Sequence, residues 1–132
     1  MILIDTNYFI RFIENDNEKQ VKIVQDLFLD GIHGKKKLIS TTAVFFEIYW
    51  LMKSFYKKQK EGLEKVLRDV LDMSFIDWQN GEILTEAVEK MKNTGYDLED
   101  AYNLVYCGKN KADLATFDKR LMKSWHRIKN VI

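Results

Sequence analysis

A chain of 132 residues, 46% of them hydrophobic, is long and apolar enough to build one core, and its single cysteine, Cys107, excludes an intramolecular disulfide and any cysteine-based zinc or iron–sulfur centre. The formal net charge of +1 is unevenly spread: residues 82–100 hold Glu82, Glu86, Glu89, Asp97, Glu99 and Asp100 against Lys90 and Lys92, whereas residues 109–132 hold seven Lys or Arg against Asp113 and Asp118. That asymmetry is compatible with an acidic centre rimmed by basic surface, as an enzyme acting on a polyanion needs, and also with plain solvated helix faces.

The N-terminus reads Met1-Ile2-Leu3-Ile4 and then Asp5, with no basic lead and no long apolar run, so neither a signal peptide nor a membrane span is expected. With the lone cysteine suiting a reducing interior, a cytoplasmic location without a membrane partner is the expectation. Residues 1–4 form a short continuous apolar run, the pattern of a strand buried on both faces. Tyr8, Phe9, Phe12 and Ile13 recur at helical spacing and predict a first helix ending at 14–17. A second helix is predicted over 18–30, with Val21, Ile23, Val24, Leu27 and Phe28 apolar and Gly31 placed to end it. Leu38–Thr41 reads as the second strand, and Thr41 or Thr42 as the cap of a long helix carrying Val44, Ile48, Leu51 and Phe55. Residues 60–73 predict a further amphipathic helix.

Ser74–Trp78 is the third strand expected, residues 81–92 a helix, and Gly95 its stop. Asp97 stands where an N-cap belongs, before a helix from Leu98 to about Cys107. Ala112–Ala115 is then expected as a fourth strand, Phe117–Trp125 as a short helix, and Ile128–Ile132 as a fifth strand at an edge. Proline is absent, and no repeat, linker or low-complexity tract divides the chain, so one domain over 1–132 is predicted. Strands alternating with helices argue for an α/β fold, a parallel sheet with helices on both faces.

In open parallel sheets, ligands lie beyond the C-terminal ends of the strands. Asp5 follows the first strand directly, and Asp118 follows the expected fourth strand by three residues. Glu47 lies about one and a half turns into the helix after the second strand, and Asp100 in the first turn of the helix before the fourth. Each has a bland reading of its own. Glu47 either sits at the rim of its helix beside a lysine or is buried among Phe45, Phe46, Ile48 and Leu51, where its charge demands a partner or a cation. Asp97 fits an N-cap, Asp100 a first-turn acid favoured by the helix dipole, Asp5 a turn and Asp118 a cap. Convergence of separate acids on one edge is what points to a metal, and oxygen donors without histidine or cysteine suit Mg²⁺ or Mn²⁺ rather than zinc.

Other chemistries lack a coherent residue set. His33 and His126 share no spacing, no glycine-rich phosphate loop or serine nucleophile elbow is present, and Cys107 falls in an apolar helix that suits a buried, inert thiol.

Taken in order, Ile2-Leu3-Ile4-Asp5-Thr6-Asn7, Glu47 after the second strand, Asp97-Leu98-Glu99-Asp100-Ala101 opening a late helix, and Ala115-Thr116-Phe117-Asp118 resemble the PIN-domain nucleases over essentially the whole chain. A domain of this size is most similar to the VapC-type toxins of toxin–antitoxin modules. The resemblance implies a five-stranded sheet of order 3-2-1-4-5, Mg²⁺- or Mn²⁺-dependent RNA cleavage, homodimers, and inhibition by a small antitoxin. It implies Asp5, Glu47, Asp100 and Asp118 as the acidic quartet and Thr6, Asn7 and Thr116 as supporting polar positions, with Asp97 able to replace or supplement Asp100. One departure is the bulky run from Ala101 to Cys107, where small residues are common in the family.

The expected mechanism is metal-assisted hydrolysis of a phosphodiester, with Asp5 and Asp100 as direct ligands, Asp118 on the metal or its water, Glu47 orienting the attacking water, and Thr6 and Thr116 holding carboxylates. Two rivals stand against it. A receiver-like phosphoacceptor domain wants a second acid beside Asp5 and a lysine after a late strand, and nothing here fills both. A PIN-like module that binds RNA or protein without cutting is countered by the intact acids. The helix carrying Phe45, Phe46, Tyr49, Trp50, Met52, Phe55 and Tyr56 is apolar over more than one stripe, so either the helix at 60–73 covers its second face or part of it meets a protein partner.

Overall fold

Three short parallel strands, β1 (Ile2–Leu3), β2 (Leu38–Ser40) and β3 (Ile76–Trp78), form a sheet of order β1-β2-β3 in the computed structural model, which describes residues 1–131. Packing divides the chain into two compact units, Met1–Gly81 and the residues from Glu82 onward.

In the first unit, Leu38 of β2 is paired with Ile2 on one side and Ile76 on the other. The ladder is extended past β1 by the Ile4 N–H, which donates to the Ile39 carbonyl at 2.8 Å, and by the buried Ser40 hydroxyl, which donates to the Ile4 carbonyl at 2.8 Å. A buried hydroxyl without such an acceptor would destabilise the strand by about 1–3 kcal/mol. Helices α1 (Thr6–Glu14) and α2 (Glu18–Ile32) bury Phe9, Ile10, Val21, Val24 and Phe28. Trp78 gathers this core: Phe9 stacks on it at 5.1 Å, Phe45 meets it edge-on at 5.5 Å, and its indole N–H donates to the Val70 carbonyl at 3.1 Å. Val70 belongs to α4 (Lys60–Leu71), which also buries Leu63 and Leu67.

Helix α3 (Thr42–Trp50) starts under a double clamp. The Thr41 hydroxyl accepts from the Val44 N–H at 3.2 Å, while Gln79, just past β3, accepts from the Thr42 N–H at 3.1 Å and from its hydroxyl at 3.0 Å. The long helix expected here changes character after Trp50: Leu51–Phe55 forms a wider π-helical turn, closed by the Tyr56 N–H on the Leu51 carbonyl at 3.0 Å. Phe45, Tyr49 and Met52 are buried and α4 packs against α3, so the covering-helix reading holds for that face; Trp50 and Phe55 stay exposed.

In the second unit, α5 (Gly81–Thr94) stops at Gly95, whose φ of +76° is the left-handed conformation that glycine adopts without strain. Helix α6 (Leu98–Asn110) buries Leu98, Ala101, Leu104, Val105 and Cys107, and α7 (Lys119–Val131) buries Leu121 and Trp125 against it.

Four expectations are corrected. Among the described residues the sheet has three strands, so of the order 3-2-1-4-5 only the 3-2-1 part is present. Ala112–Ala115 joins no ladder: Ala and Asp are poor strand formers, and this segment is held instead by the Ala112 N–H on the Cys107 carbonyl at 3.0 Å and by Asp113 paired with Lys129 at 2.9 Å. Ile128–Val131 is helical, because Leu121, Trp125 and Ile128 continue one helical stripe; Ile132 lies outside the described residues. Gly31 does not end α2 but lies within it, where an added Cβ would sit 2.6 Å from Leu38 Cδ1 and 3.0 Å from Leu38 Cγ. Its role is close approach.

Two glycine substitutions separate packing from propensity. Gly31→Val should lower unfolding free energy by about 1–3 kcal/mol through overpacking against the buried Leu38. Gly62→Ala, inside α4 where an added Cβ meets nothing within 4 Å, should raise it by about 0.5–1 kcal/mol. Urea midpoints read both, and a destabilising Gly62→Ala would contradict the open space seen there.

Candidate active site

The sequence-predicted residues fall in both units. In the first, Asp5 follows β1 through Ile4 and caps α1, its Oδ1 accepting from the Thr6 N–H at 2.8 Å. Thr6 is buried, and its hydroxyl oxygen has no hydrogen-bond partner among the described residues. Such an orphaned group next to Asp5 is a donor still to be used. Asn7 is exposed and borders a cavity of about 210 Å³ with Tyr8, Arg11 and Gln20. Glu47 lies on the exposed face of α3 and makes no hydrogen bond or ion pair among the described residues, which decides for the rim position, without a lysine partner.

In the second unit three acids converge on the starts of two helices. Asp97 caps α6, its Oδ1 accepting from the Asp100 N–H at 2.9 Å. Asp118 caps α7 the same way, accepting from the Leu121 N–H at 3.0 Å, and its own N–H is held by the Thr116 hydroxyl at 3.1 Å. The Asp100 carboxylate has no hydrogen-bond partner among the described residues, and burial together with the charges of Asp97, Asp118 and Glu99 raises its pKa above the ordinary 3.8. The charge of Asp118, eighteen residues further along the sequence, therefore reaches Asp100.

Sequence reasoning missed the device that joins these helix starts. The Tyr96 hydroxyl donates to the Arg120 carbonyl at 3.1 Å and shares a hydrogen bond with the Ser124 hydroxyl at 2.6 Å. The Arg120 guanidinium lies 4.3 Å over the Tyr96 ring and donates to the Thr94 carbonyl at 2.7 Å. Tyr96 immediately precedes the cap of α6, and Arg120 follows that of α7 by two residues, so the pair ties Asp97 and Asp118 to one scaffold. An aromatic residue just before a cap was the available signal; its partner in α7 was not readable. Cys107 is the buried thiol expected: desolvation and Asp113 push its pKa up, away from reactivity. Both histidines are exposed.

Every candidate donor is a carboxylate or hydroxyl oxygen, the set that suits a hard divalent cation, and a cation would relieve the repulsion on Asp100. Among the described residues no group of three or more His, Cys, Asp or Glu side chains is arranged to hold a metal ion. The donor chemistry fits Mg²⁺ or Mn²⁺.

Because the folded chain holds the Asp100 proton more tightly than the unfolded chain, this group destabilises the fold as pH rises from 3.8 through its raised pKa. In EDTA, Asp100→Asn should therefore melt at a higher temperature than the parent near pH 7, the gain shrinking to nothing below about pH 3.8. A melting-temperature difference independent of pH would contradict the repulsion.

Among the described residues no helix is long and apolar enough to cross a membrane. No curated protein matches the chain significantly. The family model described as "PIN domain" matches residues 2–124, a span that includes Asp5, Glu47, Asp97, Asp100 and Asp118. The chain belongs to the PIN-domain family.

Proposed function

We propose that the protein is a Mg²⁺- or Mn²⁺-dependent endoribonuclease, the toxin component of a toxin–antitoxin module, whose single nuclease domain spans 1–132. PIN domains are generally metal-dependent nucleases acting on RNA or DNA, and the family match runs from residue 2 to residue 124 without regard to the two packing units. The observation that carries the reading is the placing of Asp97 and Asp118, the caps of two helices, near Asp100, whose pKa is raised by burial and by the charges of Asp97, Asp118 and Glu99.

In this reading the chain's own groups divide the work. Asp5 and Asp100 are direct ligands, Asp118 is a second ligand or holds metal-bound water, and Glu47 orients the attacking water. Thr6 and Thr116 hold the carboxylates, Thr116 through the Asp118 N–H, and Asn7 supports from the start of α1. Asp97 orders the first turn of α6 and supplements Asp100. A bound divalent ion supplies a Lewis acid that acidifies water and neutralises charge on the phosphate. The proposed setting is cytoplasmic. The proposed protein partners are a second copy of the chain and a small antitoxin, supported by the apolar side chains that α1 and α2 leave exposed, Phe12, Ile23, Leu29 and Ile32.

A second reading, a PIN-like module that binds RNA or protein without cutting it, is favoured by one observation, that among the described residues no three acids are grouped so as to hold a metal ion. Cleavage decides between them. Purified protein should cut RNA with Mn²⁺ or Mg²⁺ and stop on adding EDTA. Asp5→Asn and Asp100→Asn should each lower the rate by at least about 100-fold, and Thr6→Val by about 10–100-fold. Cleavage that survives EDTA, or RNA that stays intact with metal, would overturn the nuclease reading. Light scattering should give a dimer at concentrations on the order of tens of micromolar; a monomer there removes the dimer.

A further inference from the structure

Phe117 is fully exposed and makes no ring contact among the described residues. Apolar side chains of this size are normally withdrawn from water, and this one contributes nothing to the core of its unit. It stands between Thr116 and Asp118, in the short segment whose hydrogen bonds fix Asp118 at the start of α7. The ring is therefore mounted on a built turn.

The surroundings of Phe117 say what would cover it. A shallow cavity of about 430 Å³ is bounded by Phe117, Asp118, Lys119, Met122, Lys123 and His126, a size within the range of small-molecule and nucleotide sites. Lys119 and Lys123 are exposed and make no ion pair among the described residues, in contrast to Lys109 and Lys129, which are paired with Glu86 and Asp113. Asp118 is the one acid on this lining. An apolar protein surface laid over Phe117 would desolvate two unpaired ammonium groups, whereas a phosphodiester chain answers them, and an unpaired base answers the ring. Base stacking needs an open π-face, so the strand must be single.

We infer that Phe117, with Lys119 and Lys123 beside it, is a base-stacking subsite for a single-stranded nucleotide next to the phosphate held near Asp118. The inference rests on the nuclease reading for the position of that phosphate, and it deepens that reading by naming what selects unpaired RNA. Phe117 carries the base, the two lysines carry adjacent phosphates, and the Thr116–Asp118 turn holds the base plane at a set distance from the acids.

The test is binding of a fluorescently labelled single-stranded RNA pentamer of mixed sequence to the full chain in EDTA, where cleavage is blocked, followed by cleavage with Mn²⁺. Phe117→Ala should weaken binding of the single strand about ten-fold, within the span expected for loss of one stacked base, with an unchanged melting temperature. Phe117→Trp should restore binding, and a pentamer of the same phosphates without bases should bind parent and Phe117→Ala alike. Equal binding of the mixed-sequence pentamer by parent and Phe117→Ala overturns the subsite, as does an equal loss on duplex RNA, or a change confined to self-association, which would mark a protein interface. Unchanged binding with intact Mn²⁺-dependent cleavage removes the subsite and leaves the nuclease. Phe117-dependent binding without cleavage supports the subsite and removes the nuclease.

Discussion

Three of the candidate acids are structural before they are chemical: Asp5, Asp97 and Asp118 each use one carboxylate oxygen to satisfy a backbone N–H at the start of a helix. Those N–H groups have no partner within their own helix, and an uncapped start costs about 0.5–2 kcal/mol. The cap also aims the acid, because the carboxylate that accepts from the helix start is held within the first turn, at the positive end of the dipole. A carboxylate bound in this way has few rotamers left to lose when a ligand arrives. In each packing unit the same atoms therefore set where a helix begins and where a negative charge stands.

Asp100 and Glu47 are different, since neither carboxylate has a hydrogen-bond partner among the described residues. For Asp100 the neighbours make matters worse: burial and three nearby acids all favour its protonated form. A fold selected for stability alone would place a lysine or an amide there. Charge crowding of this kind is common where carboxylates await a cation, and it locates chemistry more sharply than any single acid does. The Tyr96–Arg120 contact supplies the rigidity such crowding needs, holding the starts of α6 and α7 against their own repulsion through a cation–π contact at 4.3 Å and a hydrogen bond to Ser124 at 2.6 Å.

The aromatic residues sort by the same logic. Phe9, Phe45 and Trp78 are drawn into one buried cluster, where area burial and ring contacts stabilise the first unit. Trp50, Phe55 and Phe117 are left outside. For Phe55 a local cause is visible: it ends the wider turn that follows Trp50, in which Met52 is the buried residue. Phe117 stands between Thr116 and Asp118, in the turn that seats Asp118.

Much of this was legible in the residues themselves. Caps are decided within four residues, so Asp97 before α6 could be read directly and the cap of α3 narrowed to Thr41 or Thr42, of which the structure uses Thr41; the stop at Gly95, in the left-handed conformation, was legible too. The short segments at Ile2, Leu38 and Ile76, rich in apolar and β-branched or aromatic residues, could be read as three strands. Short segments with weak preferences behaved otherwise. Ala112–Ala115 and Ile128–Val131 look strand-like in isolation, but a strand exists only if a partner ladder is within reach, and the first was captured by Cys107 and Lys129 while the second continued the stripe begun by Leu121. Gly31 likewise looked like a stop until Leu38 lay against it. The sequence by itself determined the helix caps, the apolar stripes and the acids that could serve a metal, because hydrogen bonding and periodicity act between neighbours. Only the tertiary structure decided which strands found partners, which acids press on one another and which aromatic rings stay in water, because those outcomes depend on competition among groups far apart in the chain.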